Sequence, residues 1–344
     1  MTPLFSIGIG IGTQNANGEW LEVYYPQPLL NPSEAIAQAV IGASGYAEGN
    51  QTLDLDAKAT VALGEALSQA GEAALAATVT SLTNSTRRGV AVILATDASP
   101  SSVPEAYLKL QLISHRLVRP HGIDLSGIFG CLPNVAWTSE GAIDLAELPA
   151  RQLTARLENR ALSVDSIDKF PKMTDYVVPS GVRIADTSRV RLGAYIGEGT
   201  TIMHEGFVNF NAGAEGPNMI EGRISAGVFV GAGSDLGGSS STMGTLSGGG
   251  NIIISVGKEC LIGANAGIGI PLGDRCIVEA GLYITSGTKV GLLDDNRQAV
   301  GSAKARDLAG RSDLLFRRNS ETGAVECLTN KTAVELNEAL HAHN

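Results

Sequence analysis

The chain has 344 residues, of which 44% are hydrophobic and 17% charged, and this composition excludes an intrinsically disordered protein. Its formal net charge of −10 at pH 7 argues against nucleic acid or an anionic membrane as a partner, because both attract a positive protein surface. We therefore expect a globular protein with a buried core.

The length of the apolar runs and the character of the first residues bear on the cellular location of the protein. The longest strongly apolar runs, such as residues 90–95, are far shorter than the ~20 residues of a membrane-spanning helix. Residues 1–6 contain no basic segment leading into an apolar stretch, so we expect no secretory signal and a cytoplasmic location. The cysteines include no close pair and are expected to be reduced thiols: Cys131, Cys260, Cys276 and Cys327.

Residues 1–178 have the mixed pattern of an N-terminal α+β domain. Strand patterns occur at residues 7–11, 20–25 and 89–96. Helical patterns occur near residues 33–42, 56–82, 103–117 and 144–162. Ser33 and Asp144 stand at the start of two of these helices and are predicted N-caps.

Gly8, Gly10 and Gly12 alternate with isoleucine in the first predicted strand. Their spacing matches neither the dinucleotide-binding nor the P-loop fingerprint, and no helical pattern follows them. We therefore predict a structural strand here rather than a phosphate-binding loop.

From Ile184 onward the apolar residues recur every sixth position, a period that fits neither a simple strand nor a helix. Glycine is concentrated in the same region, since 24 of the 42 glycines lie between Gly181 and Val290. Repeats of this length predict a solenoid in which each hexad is one strand plus a turn, and three hexads make one parallel β-coil. We place this solenoid at residues 179–291. The in-phase aliphatic positions are Ile184, Val190, Ile196, Ile202 and Val208, then Ile224, Val230 and Leu236, then Val256 and Ile262, then Leu272, Val278, Ile284 and Val290.

The phase slips twice, between Val208 and Ile224 and between Ile262 and Leu272. Residues 214–232 fit two phases, and we favour the one that starts at Ile224 because it restores the glycine and serine positions. Functional residues are expected near such irregularities, since loops on a rigid scaffold commonly hold binding sites.

Residues 237–251 are rich in glycine and serine and interrupt the repeat, so we predict a loop that closes over a ligand. Residues 292–344 are predicted to form a C-terminal extension. It would contain a strand at 314–317, a turn at 319–323 and a helix at 333–341 that packs outside the solenoid.

Five segments of the second half resemble one enzyme family. They are residues 203–213 (MHEGFVNFNAG), 219–227 (MIEGRISAG), 244–250 (GTLSGGG), 279–283 (EAGLY) and 314–319 (LLFRRN). Together they resemble the long form of the tetrahydrodipicolinate N-succinyltransferases, a family of hexapeptide-repeat acyltransferases. The resemblance implies a left-handed parallel β-helix and a homotrimer with active sites between neighbouring subunits. It also implies succinyl transfer from succinyl-CoA to the amino group of acyclic tetrahydrodipicolinate in lysine and diaminopimelate biosynthesis.

The resemblance assigns roles to individual residues around the first phase slip. It makes Glu221 the catalytic carboxylate, either as general base or as an acyl-anhydride nucleophile. Arg223 is assigned to a substrate carboxylate, which a guanidinium binds through two hydrogen bonds, although an ion pair with Glu221 is the structural alternative. Gly238 and Ser241 are further substrate-binding residues.

The same resemblance implies a Mg²⁺ ion at the trimer axis, bound by Glu205 from three copies. Relatives carry a further acid near position 188, where this chain has Ser188, with Asp186 close by. His204 is the alternative general base, since many hexapeptide acetyltransferases use a histidine.

Contacts to coenzyme A are implied along the later coils and the C-terminal extension. Small residues let the thin pantetheine arm approach the backbone, and cations bind its phosphates. Arg317 and Arg318 are adjacent in a predicted strand and point to opposite faces, so one of them can be a plain surface charge. The residues implied are Ala264, Glu279, Ala280, Gly287, Lys304, Phe316, Arg317, Arg318 and Asn319.

The same kind of repeat is compatible with functions other than succinyl transfer. A γ-type carbonic anhydrase needs three histidines per zinc, and only His204 lies in the repeat. A non-catalytic binding module would need neither Glu221 nor Arg223. An acyltransferase that uses acetyl-CoA, or one that acts on a sugar nucleotide, stays open because residue spacing does not reveal the length of the acyl group.

Overall fold

The computed structural model describes residues 3–244 and 252–329, and the chain divides into two compact units. Unit 1 contains Met1–Val118 and Gly122–Pro171, and unit 2 contains Arg119–His121 and Lys172–Asn344. Within the described ranges, no helix is long and apolar enough to cross a membrane.

Unit 1 is built on an antiparallel sheet packed against helices. The strands of this sheet are β1 (Ser6–Gln14), β2 (Trp20–Tyr24), β3 (Leu29–Leu30), β4 (Gln51–Leu55) and β5 (Arg88–Leu94). Their order is β2-β1-β5-β4, and β3 pairs with β1. A smaller sheet has the order β7-β6-β8 and contains β6 (Val135–Thr138), β7 (Gly141–Asp144) and β8 (Val164–Asp168).

The helices of unit 1 confirm most of the predicted ones. They are α1 (Glu34–Ser44), α2 (Ala57–Gln69), α3 (Ala73–Ser81), α4 (Val103–Ser114), α5 (Ile128–Cys131) and α6 (Leu148–Leu157). The predicted single helix over 56–82 is wrong, because Gly71 adopts φ +86° between α2 and α3, a value that no right-handed helix includes. Ser33 is confirmed as an N-cap, since its hydroxyl accepts from the backbone N of Ile36.

Asp144 is not an N-cap, because it is the last residue of β7. Its carboxylate accepts hydrogen bonds from Asn15 and from the backbone N of Ala146. The helix begins only at Leu148, with Pro149 in its first turn, where the missing N–H of proline costs nothing.

The glycines of β1 are confirmed as structural. A Cβ atom at Gly8 would lie 2.8 Å from side-chain atoms of both Leu108 and Tyr25. Glycine is therefore required for α4 and the Tyr25 ring to pack directly on the strand.

Unit 2 winds through three parallel sheets in turn and forms a parallel β-helix. The first sheet contains β10 (Ala194–Ile196), β13 (Ala212–Ala214), β16 (Phe229–Val230) and β19 (Ser255–Val256). The second sheet contains β9 (Arg183–Ile184), β11 (Thr200–Ile202), β14 (Asn218–Ile220), β17 (Asp235–Leu236), β20 (Leu261–Ile262), β22 (Ile277–Val278) and β26 (Leu314–Arg318). The third sheet contains β12 (Phe207–Val208), β15 (Arg223–Ile224), β18 (Ser241–Thr242), β21 (Gly267–Gly269) and β23 (Tyr283–Thr285).

The prediction that the aliphatic residues at the six-residue period form the core is confirmed. Every predicted aliphatic position from Val190 to Val290 is buried, and Ile184 at the end of the second sheet is half-buried. These side chains and further buried residues, such as Ala194, Val228 and Leu282, form a single apolar core that the three sheets share.

The first phase slip lies in the turn between β14 and β15. Ala214 and Ile220 continue the earlier phase and are fully buried, whereas Ile224 starts the new phase as predicted. Arg223 pairs with Phe207, 16 residues earlier, while Ile220 pairs with Ile202, 18 residues earlier. This coil is therefore shortened at its corner, which contains Glu221.

The predicted loop at 237–251 is wrong in its first half. Residues 241–242 form β18, which pairs with β15 and β21 and so continues the coil. The backbone N atoms of Ser241 and Met243 donate to Ala266 and Ile268 at 2.9 Å. The second half, residues 245–251, lies outside the described residues, as does the helix predicted at 333–341.

The C-terminal extension adds strands to the second sheet. Strand β24 (Lys289–Leu293) pairs antiparallel with β25 (Ala299–Lys304), and β27 (Val325–Thr329) lies between β24 and β26. The predicted strand at 314–317 is confirmed as β26, which pairs in parallel with β22. The predicted turn that follows it is confirmed, since Gly323 donates to the backbone O of Asn319 at 2.8 Å.

Candidate active site

The third sheet presents a row of outward-facing side chains, one from each strand. We call it the outer row. Each member is followed by a buried residue, and alternation along a strand turns the member itself to the outside. Strand register aligns the five residues across the sheet: Phe207, Arg223, Ser241, Gly267 and Tyr283.

Arg223 and Ser241 are bonded neighbours in this row. The Arg223 guanidinium donates to Ser241 Oγ at 2.5 Å, and the Thr242 hydroxyl donates to the backbone O of Arg223 at 3.0 Å. Among the described residues, Arg223 forms this bond rather than the ion pair with Glu221 that the sequence left open. Its remaining N–H groups can bind a carboxylate, as the resemblance implies.

A cavity of about 490 Å³ opens beside the outer row. Its lining combines two guanidinium groups, one carboxylate, three serines and one aromatic ring. This mixture suits a small anionic molecule with both carboxylate and apolar parts. The lining residues are Arg189, Glu205, Phe207, Arg223, Ser239, Ser240 and Ser241.

The shortened corner places two carboxylates against one glycine. A Cβ atom at Gly238 would lie 3.6 Å from Glu221 Oε2 and 3.8 Å from Glu205 Oε2. The Glu221 backbone is fixed by a 2.8 Å bond from its N to Leu236 O and a 3.1 Å bond from Ser239 N to its O. The structure thus brings the predicted catalytic residue Glu221 close to Gly238 and Glu205, while Glu205, Arg223 and Ser241 line the cavity itself.

His204 lies on the outside of this cluster. Its Nε2 is 3.5 Å from Glu205 Oε1, and 71% of its side chain is exposed. A general base needs to reach the proton that it removes, and this orientation turns the imidazole toward Glu205 and solvent.

The described residues near Glu205 include two further groups considered for a metal, Asp186 and Ser188. The Asp186 carboxylate accepts from the hydroxyl and the backbone N of Ser188, and the hydroxyl bond lowers the pKa of Asp186 below its ordinary value. In the described part of the chain, no three His, Cys, Asp or Glu side chains are grouped as metal ligands.

A strip of small residues runs from the carboxylates along the corner after the second sheet. Pairing of Leu236, Ile262, Val278 and Phe316 across this sheet brings the residues two positions further on into one line. We call this line the corner strip: Gly238, Ala264, Ala280 and Arg318. At ~4.8 Å per coil it is about 14 Å long. Three of the residues implied to contact coenzyme A therefore lie in one continuous line with Gly238.

The other implied coenzyme A residues of β26 have mainly structural contacts. Phe316 is fully buried in the core, so its side chain does not face a ligand. Arg317 and Asn319 both donate to the Glu326 carboxylate. Glu279 accepts from the backbone N of Arg318 at 2.7 Å, and Arg318 itself is exposed.

Gly287 and Lys304 form a second exposed group near the end of the solenoid. Lys304 pairs with Lys289 in the β24–β25 hairpin, and no atom lies within 4 Å of a Cβ built on Gly287. The backbone N of Ala305 donates to Thr288 O at 2.8 Å, which holds the two segments together. The open space at Gly287 and the free end of Lys304 leave room for an anionic ligand.

Sequence reasoning missed Arg189, Phe207, Ser239 and Ser240 of the cavity lining and Tyr283 of the outer row. Arg189 lines the cavity and donates to the backbone O atoms of Glu205 and Gly206 at 3.0 Å. Ser240 lines it with a buried hydroxyl that lacks a hydrogen-bond partner among the described residues. Tyr283 belongs to the quoted EAGLY segment, but only the strand register places it beside Ser241.

Two parts of the chain match models of known protein families. A family model described as the hexapeptide repeat of succinyl-transferase matches residues 253–286, and one described as the middle part of tetrahydrodipicolinate N-succinyltransferase matches residues 132–172. The fold and the site thus define a hexapeptide-repeat acyltransferase.

Relatives narrow this class to one family. The 2,3,4,5-tetrahydropyridine-2,6-dicarboxylate N-succinyltransferases of Pseudomonas paraeruginosa and Vibrio cholerae are 69% and 60% identical to this chain, each over 99% of both chains. A crystal structure from Campylobacter jejuni, provisionally assigned as a 2,3,4,5-tetrahydropyridine-2-carboxylate N-succinyltransferase, has a TM-score of 0.87 and 32% identity, covering 97% of this chain and 94% of its own. The chain belongs to the 2,3,4,5-tetrahydropyridine-2,6-dicarboxylate N-succinyltransferase family.

Proposed function

We propose that this chain moves succinyl from succinyl-CoA to the amino group of acyclic tetrahydrodipicolinate, a step of the succinylase branch of diaminopimelate and lysine biosynthesis. The observation that supports this most directly is the position of the Glu221 carboxylate beside Gly238, next in the chain to Ser239, which lines the same cavity as Arg223 and Ser241. An amine acceptor needs a base, and the carboxylates of the acceptor and of the succinyl group need cationic and hydroxyl partners.

We assign Glu221 the role of general base. The amine of the acceptor binds as an ammonium ion and gives one proton to the Glu221 carboxylate. Its freed electron pair attacks the thioester carbon, so that a C–N bond forms and the C–S bond breaks. The nitrogen gives up its second proton as the C–S bond breaks, and this proton passes to the leaving sulfur of coenzyme A. The carboxylate of Glu221 is regenerated when its own proton passes to solvent.

Coenzyme A is proposed to lie along the corner strip. Gly238, Ala264 and Ala280 leave no large side chain between the Glu221 end and the cation of Arg318. A thin pantetheine arm fits against such a surface, while the exposed side chains of Arg318 and Lys304 can bind the phosphates of coenzyme A. Contacts from the buried Phe316 are limited to its backbone.

The proposed working form is a cytoplasmic homotrimer with a left-handed β-helix. The hexapeptide-repeat match supports this assembly, since the resemblance to this class implies active sites between subunits. Mg²⁺ at the trimer axis stays a proposal for Glu205, whose carboxylate is 55% exposed in one chain. Light scattering tests the assembly, because a stable monomer with full activity would contradict it.

The proposed reaction is tested by following thiol release from succinyl-CoA and from acetyl-CoA with tetrahydrodipicolinate or 2-aminopimelate. We expect release with succinyl-CoA and dependence on the acceptor. Preference for acetyl-CoA would assign the chain to the alternative donor. A burst of thiol release without acceptor would show that Glu221 forms an acyl-anhydride instead of acting as a base.

A further inference from the structure

The ring of Tyr283 lies flat against Gly267 and reaches Ser241. A Cβ atom at Gly267 would lie 2.1 to 2.5 Å from three ring carbons of Tyr283, so any other residue there would displace the ring. The Tyr283 hydroxyl is 3.4 Å from Ser241 Oγ, on the side of Ser241 opposite to Arg223 in the outer row. Three polar groups are therefore connected across four neighbouring strands.

This connection determines where the Ser241 proton points. A serine hydroxyl has one proton to donate and two lone pairs that accept. The Arg223 guanidinium can only donate, and it occupies one lone pair at 2.5 Å. When the Tyr283 hydroxyl donates to the second, the Ser241 proton is directed to a third group, and the cavity lined by Ser241 has space for a ligand that supplies one.

We propose that Tyr283 is a positioning residue that fixes the Ser241 hydroxyl as a donor, so that Ser241 and Arg223 together bind one carboxylate of a substrate. This inference rests on the proposed function and names the recognition chemistry of the same site. A guanidinium beside an oriented hydroxyl matches the two oxygens of a carboxylate. That carboxylate can come from the succinyl end of the donor or from the dicarboxylic acceptor, and the experiment separates the two.

The test is Tyr283→Phe, which removes the hydroxyl and keeps the ring on Gly267. We expect KM for one carboxylate substrate to rise about three- to tenfold, the effect of losing one neutral hydrogen bond, with kcat changed less than twofold. If the donor is recognised, KM for succinyl-CoA rises while the Kd of coenzyme A itself, which lacks the carboxylate, is unchanged. If the acceptor is recognised, its KM alone rises.

Two further variants keep the inference falsifiable. Gly267→Ala retains the hydroxyl but displaces the ring, and should raise the same KM. Tyr195→Phe removes a hydroxyl from a ring that packs on Phe229 in the first sheet, and should change neither constant. The inference is overturned if Tyr283→Phe leaves both KM values unchanged or lowers kcat alone. Wild-type protein without succinyl transfer would instead overturn the proposed function, whatever Tyr283 does.

Discussion

The carboxylates of Glu205 and Glu221 face the same glycine from two consecutive coils. Oε2 of each lies within 4 Å of the point where a side chain at Gly238 would begin. Phe207 and Arg223, two residues after each glutamate, pair in register, so the corner positions of the two coils are stacked. The position of Glu221 thus follows from the two-residue shortening of its coil.

Glu221→Gln should lower kcat by about 10²- to 10⁴-fold while coenzyme A still binds, because the amide keeps the shape but cannot accept the proton of the amine. Steady-state kinetics and calorimetry measure the two effects. The matched control is His204→Gln, whose exposed imidazole faces Glu205. If the histidine variant loses kcat and the glutamate variant does not, the catalytic role moves to His204.

Arg223→Lys should raise KM for a dicarboxylate substrate about tenfold or more and change kcat less. An ammonium keeps the charge but cannot bind Ser241 Oγ and a carboxylate in the fixed geometry of a guanidinium. Initial rates with each substrate varied in turn measure this. Unchanged KM values for both substrates would leave Arg223 with a structural role only.

Gly238→Ala should lower kcat/KM by about tenfold or more without unfolding the protein. The new methyl group makes ordinary contacts of 3.6 and 3.8 Å with the two carboxylates and fills the space that a reacting amine needs. Gly291→Ala is the control, since its Cβ meets only the backbone O of Val325 at 3.7 Å. Equal activity of both variants would show that the reacting groups meet elsewhere.

Asp313→Asn should lower Tm at pH 7, and the difference from wild type should disappear in acid. The Arg275 guanidinium donates two bonds to Asp313 and holds the pKa of that carboxyl below its ordinary value. A depressed folded-state pKa gives stability above the unfolded pKa of about 3.9, which is lost as pH falls through the folded value.

Asp313 has φ +61°, a conformation that asparagine also tolerates, so the substitution tests the charge and not the backbone. Thermal unfolding between pH 7 and pH 3 measures the difference. A Tm difference that persists unchanged in acid would show that the ion pair is not its source.

The sequence by itself determined the β-helix, because the aliphatic residue that recurs in each hexad marks a side chain that points into the interior of a coil. Through the family resemblance it also predicted roles for Glu221, Arg223 and Ser241. Short motifs of this kind can be recognised in a sequence without any knowledge of how the residues pack.

Only the tertiary structure decided how these residues meet. The bond between Arg223 and Ser241 and the approach of Tyr283 depend on which strands are neighbours, a relation between positions 18 and 42 residues apart. The tertiary structure also decided the position of β18. Its in-register pairing with β15 and β21 makes part of the predicted loop a strand of the solenoid. Local glycine and serine composition predicts a loop there, and pairing with adjacent coils overrides it because each buried backbone group needs a hydrogen-bond partner.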